Sequence, residues 1–350
     1  MSTVLYVVLA ILLLGILVTG HELGHFTAAR ACGIEVKEFA VGMGPKLLSR
    51  KGKKSVFSLR ALPFGGFCAF YGEDDPTDAA ADDPRALNRQ PAWKRLIVIL
   101  AGPLMNFVLA YLVAVIAMSC FSGKPVSYRV LSMEETGAAI VCGVREGDTL
   151  SAVDGVNVMG GTGEALTREL SFRRENDTFL LEVIRDGEKV TLPITAAWNE
   201  DEGRYYIGIL MTANVEPLSF GESLSYAADY CVELGGAIFD ALKQLVTGAI
   251  GIDQMSGPVG VVQAVAQETA SGGISAYLSL MVFISVNLGI MNLLPIPGLD
   301  GSRALFLILE IIRRKPVPPK KEAIVHLAGL AALMLFAVYI TFQDVLKLFK

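Results

Sequence analysis

Two histidines four residues apart, with a glutamate beside the first, make His21-Glu22-Leu23-Gly24-His25 the stretch of this chain best suited to chemistry. On a helix, positions i and i+4 share one face, so the two imidazoles can hold one zinc ion while the neighbouring carboxylate moves protons. Two ligands do not complete a site: catalytic zinc takes three protein groups and keeps a fourth position for water. A carboxylate close to the membrane interior is costly and usually functional, which singles out Asp300, at the end of Asn292-Leu293-Leu294-Pro295-Ile296-Pro297-Gly298-Leu299-Asp300-Gly301. The two prolines there break a helix and let the chain turn the carboxylate back. His326 is a rival third ligand, whereas Asp344 falls at the far end of the last apolar stretch and is expected to lie out of reach.

The elements that must position these residues are apolar. With 53% hydrophobic and 19% charged residues, the chain is richer in apolar side chains than a typical soluble domain. About 20 apolar residues cross a bilayer core. Spans are expected over residues 1–29, 95–120, 274–302 and 323–345, the first retained because no basic start or small-residue cleavage site marks it as a signal peptide. The Lys- and Arg-rich segments 30–94 and 303–322 read as cytoplasmic. The N-terminus, residues 121–273 and the C-terminus are then outside, and His21, His25 and Asp300 end two spans of the same direction at similar depth. A net charge of −5 gives no basic stripe for nucleic acid, and five scattered cysteines suggest neither a disulfide framework nor a thiolate metal site.

Residues 125–215 alternate in short apolar runs around Asp154-Gly155 and Asp186-Gly187, the pattern of strands and tight turns. Within them Gly143-Val144-Arg145-Glu146-Gly147-Asp148-Thr149-Leu150-Ser151-Ala152-Val153-Asp154-Gly155 resembles a stretch of the PDZ family. That resemblance implies capture of a peptide C-terminus along a sheet edge. Residues 216–273 read as an amphipathic or linking segment, helical over Ser223 to Val246.

Taken in order, His21 to His25, Phe39 to Pro45, Pro63-Phe64-Gly65-Gly66-Phe67, Ala101 to Phe107 and Asn292 to Gly301 resemble the motifs of the site-2 protease family of intramembrane metalloproteases, in its bacterial form with one PDZ domain. The resemblance implies an α-helical integral membrane protein of about four transmembrane helices, with an inserted small β-rich PDZ-like domain and a membrane-associated β-hairpin loop. It implies that His21, His25 and Asp300 bind Zn2+, that Glu22 is the general base, and that Asn292, Gly65, Gly66, Phe67, Pro295 and Pro297 meet the substrate. The implied partners are single-pass membrane proteins in the lipid bilayer of a bacterial cell, such as trimmed anti-sigma factors or leftover signal peptides, cut near the cytoplasmic face. Relatives often carry a second glycine where this chain has Ser302. A membrane scaffold and a metal transporter are the competing readings. The transporter would show inverted repeats and several intramembrane polar groups, and this sequence displays neither.

Overall fold

A computed structural model of the chain describes residues 3–52, 54–72, 83–133, 138–159, 178–195, 197–199, 204–249, 251 and 257–348. Helix α1 (Thr3–Ala31) is followed by the hairpin strands β1 (Val36–Lys51) and β2 (Val56–Phe70), and then by α2 (Ala92–Phe121). Strand β3 (Gly123–Met133), the single turn α3 (Ala138–Val141), β4 (Thr149–Val153), β5 (Val156–Asn157), β6 (Thr178–Arg185), β7 (Glu188–Thr195), β8 (Ala197–Asn199), β9 (Arg204–Tyr206) and β10 (Ile209–Pro217) come next. Four helices close the chain: α4 (Phe220–Thr247), α5 (Pro258–Leu293), α6 (Asp300–Arg313) and α7 (Pro319–Leu348).

Two compact units emerge: Met118–Ser223 is one, and Met1–Ala117 with Leu224–Lys350 is the other. In the first, the strands form a sheet in the order β10-β3-β4-β6-β7, with β5 added beside β4. Its core gathers Val130, Leu150, Val153, Phe179, Leu181, Val183 and Ile194. Both Asp-Gly pairs sit in two-residue turns at positive φ, Asp154 at 47° with Gly155 at 79° and Asp186 at 52° with Gly187 at 87°, the conformation that matches the twist of a tight hairpin. The PDZ-like reading spans residues 134–137, 160–177, 196 and 200–203, which lie outside the described residues.

Among the described residues the helical unit contains four helices long and apolar enough to cross a membrane, α1, α2, α5 and α7. Their outer faces leave large apolar side chains such as Val8, Leu12, Leu104, Leu112, Leu327 and Leu335 exposed, which suits lipid and is costly in water. Strands β1 and β2 form a hairpin ribbon folded back on itself: Lys51↔Val56 to Lys46↔Arg60 pair near its turn, Val36↔Phe70 to Val41↔Gly66 at its base, and residues 38–41 also lie beside 56–59, from Glu38↔Val56 to Val41↔Leu59. Glu38 ties the hairpin's layers together, accepting from Ser58 Oγ at 2.6 Å, Lys46 Nζ at 2.9 Å and Arg60 Nη2 at 2.9 Å. Burial alone would raise this carboxyl, but those three donors hold it down at about 2.

Three expectations change. The helix expected over 274–302 starts at Pro258, kinks at Gly273 (φ 64°, ψ −148°) and stops at Leu293, so Asp300 does not end it but opens the separate helix α6. Glycine alone adopts that backbone without strain, and the first half of α5 carries Gln263, Gln267 and Glu268, which interrupt the apolar run. The expected loop 303–322 holds most of α6, whose inner side packs Ala304 and Leu307 against Ile99 of α2. The segment 216–273, expected as an amphipathic or linking stretch helical over Ser223 to Val246, holds that helix as α4 and, beyond the expectation, the first part of α5 from Pro258.

Candidate metal centre

The first histidine stands about 27 Å along α1, at 1.5 Å per residue from Thr3. One turn later comes His25, on the same face. Between them Gly24 lets α2 approach: a Cβ there would lie 2.2 Å from the Ala101 carbonyl oxygen. Gly102, next along α2, leaves the hollow that the second imidazole fills, since a Cβ at that position would stand 2.3 Å from His25 Nε2. Small residues at a helix crossing are how apolar helices pack closely where the hydrophobic effect is weak. His25 Nδ1 is 2.8 Å from the Val98 carbonyl oxygen. A carbonyl only accepts, so Nδ1 carries the proton and Nε2 is left with a free lone pair.

Asp300 reaches the same point by a different device. Pro295 and Pro297 cannot continue α5, and the chain turns through Gly298 at φ 100°. Gly301 then folds against the last carbonyls of α5, where a Cβ would lie 2.3 Å from the Leu293 and Leu294 oxygens. From α7, Gly329 meets the turn so closely that a Cβ would stand 2.2 Å from the Pro297 carbonyl oxygen. Ser302 Oγ donates to the Leu299 carbonyl at 3.0 Å. His326 is not at the metal-type cluster: its Nδ1 accepts the Gly298 N–H at 3.3 Å and lies 3.3 Å from Ser302 Oγ, so it braces the turn instead. Asp344 caps the start of α5, accepting from the Gly257 and Gly260 amides at 2.9 and 2.8 Å.

The result is a near-equilateral triangle of ligand atoms. His21 Nε2 lies 3.1 Å and His25 Nε2 3.3 Å from Asp300 Oδ2, and the two Nε2 atoms are 3.2 Å apart. Zinc bonds of about 2.0–2.1 Å at the tetrahedral angle set ligand atoms about 3.3–3.4 Å apart, so the three atoms already stand close to the spacing the ion needs. Asp300 Oδ2 is buried with no hydrogen-bond donor, an acceptor that asks for a cation. Among the described residues these three form the one group of His, Cys, Asp and Glu side chains placed to hold a metal.

Of the remaining residues singled out by the sequence, Gly66 lies against Glu22: a Cβ on it would be 3.3 Å from Glu22 Cγ and 2.9 Å from the Ala40 carbonyl. The Cys68 amide hydrogen-bonds the Glu22 carboxylate. Gly65, at φ 77°, is packed over Met43, and Phe67 receives the Arg60 guanidinium 4.7 Å from its ring centre. Asn292 is half-buried in the last turn of α5; Pro295 is exposed and Pro297 faces Gly329, so the prolines serve visibly to shape the turn. What sequence reasoning gave no role is the stripe Val98, Gly102 and Asn106 on α2, four residues apart and turned toward both histidines. The signal was there, because an asparagine in the middle of an apolar span is costly and marks a functional position.

The model of peptidase family M50 matches residues 9–336. The chain belongs to peptidase family M50. The zinc metalloprotease RasP of Bacillus licheniformis is 32% identical to it over 427 residues, covering 98% of this chain and 99% of that one. The regulator of sigma-W protease RasP of Bacillus subtilis is 31% identical, with coverage of 98% and 99%. A solved PDZ domain of an SdrC-like protein from Listeria innocua aligns with 26% of the chain and 99% of its own length at 19% identity and a TM-score of 0.23, too slight a likeness to bear on the fold. This M50 peptidase is a zinc-dependent metalloendopeptidase of the site-2 type, and its four apolar helices fit a multi-pass membrane protein.

Proposed function

We propose that the protein hydrolyses peptide bonds in the transmembrane segments of single-pass membrane proteins, with His21, His25 and Asp300 holding Zn2+ and Glu22 as general base. The observation that carries this reading is the triangle of three ligand atoms 3.1–3.3 Å apart. Zinc supplies Lewis-acid activation of water and of the scissile carbonyl. Glu22, beside the first ligand, takes the proton of the attacking water and delivers it to the leaving amide nitrogen. A substrate helix hides its carbonyls in i to i−4 hydrogen bonds, so it must unwind before it is cut. Gly66, lacking a side chain, lets the hairpin pack directly on Glu22, and the hairpin edge beside it is proposed to receive the extended peptide. Asn292 is proposed to hold that peptide or polarise its carbonyl, with Gly65 and Phe67 lining the same edge.

By charge, the segments 30–94 and 303–322 face the cytoplasm. The site then lies near the cytoplasmic face of a bacterial cell membrane and the β-rich unit outside it, where its PDZ-like sequence is proposed to bind peptide ends and exclude substrates whose exterior domains remain. One relative is named a regulator of sigma-W, and trimmed anti-sigma factors or leftover signal peptides are the proposed substrates here. The test uses purified protein. Asp300→Ala and His21→Ala should lose stoichiometric zinc and activity, and Glu22→Gln should keep the zinc and lose cleavage by about 10²–10⁴-fold. Full zinc and full activity in Asp300→Ala would remove this architecture, and cleavage by Glu22→Gln would remove the enzyme's base.

A further inference from the structure

Asn106 is fully buried, at 0% exposure, halfway along the apolar helix α2. An amide in that position needs a specific partner. Its Nδ2 atom is placed 3.2 Å from His21 Nδ1, its Oδ1 has no partner, and its backbone carbonyl accepts Ser285 Oγ of α5 at 2.8 Å. With the amide so turned, an N–H would point at Nδ1 and the imidazole proton would sit on Nε2, the atom that faces Asp300 and His25. A ring in that state cannot bind a metal through Nε2. The two ends of an asparagine amide are nearly identical in shape and are assigned by their hydrogen bonds. No donor among the described residues faces Oδ1 to oppose a half-turn. Turned over, Oδ1 accepts Nδ1–H and leaves Nε2 a bare lone pair, as the Val98 carbonyl does for His25.

We infer that Asn106 is a positioning residue of the metal centre: as a hydrogen-bond acceptor it fixes the tautomer and the ring orientation of His21, and Ser285 anchors it from α5. Helix α2 thereby serves both histidines from one stripe. Val98 accepts from the second, Gly102 gives it room, and Asn106 accepts from the first. The inference rests on the reading that His21 and His25 hold zinc, and it concerns the grip on the ion rather than the chemistry done with it. Partners of this kind typically change metal affinity by about 10–100-fold.

The experiment follows zinc release from the purified full chain to a chromophoric chelator in excess, with zinc stoichiometry and monodispersity measured beside it. Asn106→Leu, close in size but unable to accept, should release zinc about tenfold faster or more. Asn106→Asp can only accept, and should hold zinc as long as the parent protein or longer. That rescue separates an acceptor role from simple packing, which either substitution would disturb. Release unchanged in Asn106→Leu, or as fast in Asn106→Asp as in Asn106→Leu, overturns the inference. Should Asn106→Leu fail to accumulate, Asn106→Asp decides alone: release no faster than the parent's supports an acceptor, and release tenfold faster overturns it. His21→Ala is the control for the underlying reading. If it keeps stoichiometric zinc, both the ligand assignment and this inference fall; if it loses zinc while Asn106→Leu releases normally, only the inference falls.

Discussion

Glycines do as much at this centre as the residues that carry charge. Gly102 and Gly15 both lie in long apolar helices, yet a Cβ at Gly102 would meet His25 Nε2 at 2.3 Å and one at Gly15 would meet nothing within 4 Å. Gly102→Ala is therefore expected to push a methyl group straight into the imidazole of a candidate ligand. Zinc stoichiometry in the purified protein should fall well below one, with a stability cost of about 1–3 kcal/mol from overpacking. Gly15→Ala should leave both quantities as they were. Equal zinc content in the two variants would show that α2 does not shape the His25 pocket. The sequence displayed the HExxH pair and Asp300 because their residue types are unusual in apolar surroundings. It displayed Gly102 poorly, since a glycine in a membrane helix has many uses and only the imidazole above it says which applies.

Turns and pairings between elements were the least legible part. Helix α6, with Leu305-Phe306-Leu307-Ile308-Leu309 following Asp300, is 14 residues long and bounded by a turn on one side and Arg313-Arg314-Lys315 on the other. It is too short to read as a span and too charged at its end to stand out, yet it begins with the third candidate ligand. The turn ahead of it is held from α7 by Gly329 and His326. Gly329→Ala lies outside the candidate ligand set, but its Cβ would stand 2.2 Å from the Pro297 carbonyl. Moving the turn moves Asp300, and displacements of about 1 Å cost about 10²-fold in rate. A cleavage assay with Gly329→Ala should show a loss of that order with the protein still folded. Activity within twofold of the parent would mean that α7 is not what places the carboxylate.

The β-rich unit has a switch of its own for stability. Asp148 is 1% exposed. Burial pushes its carboxyl up, but Arg185 through Nε at 2.8 Å and Nη2 at 2.7 Å, with the Arg145 amide at 2.9 Å, bring it below the ordinary carboxylate range. A carboxyl lowered on folding stabilises the unit fully above its unfolded value of about 3.9 and loses that contribution as pH falls through the folded value. Arg185→Leu removes the cation and leaves the carboxylate buried, at a cost of about 3 kcal/mol. Hydrogen exchange of the β4 and β6 amides in the full chain should then show faster opening at neutral pH, with the penalty shrinking as acid protonates the unpaired, buried carboxyl. An identical pH profile would mean the ion pair adds nothing to the unit's stability.

At the scale of the whole molecule, the candidate ligands, Glu22, Asn106 and the hairpin all belong to one unit, and the other contains none of them. The four apolar helices were legible because length and hydropathy alone define such a helix; which side chains of α2 meet His21 and His25 was not, because it depends on packing. Inside the β-rich unit, Gly123 of β3 pairs with Pro217 of β10, so the chain enters and leaves that unit on neighbouring strands a few ångströms apart, roughly 5 Å in an antiparallel pair. Replacing residues 124–216 by a short Gly-Ser linker should therefore leave the helical unit able to bind zinc. If the unit excludes substrates that still carry an exterior domain, the shortened protein should cut trimmed substrates at close to the parent rate and gain cleavage of untrimmed ones. Unchanged discrimination between the two, with zinc retained, would assign the choice of substrate to the helices and the hairpin instead.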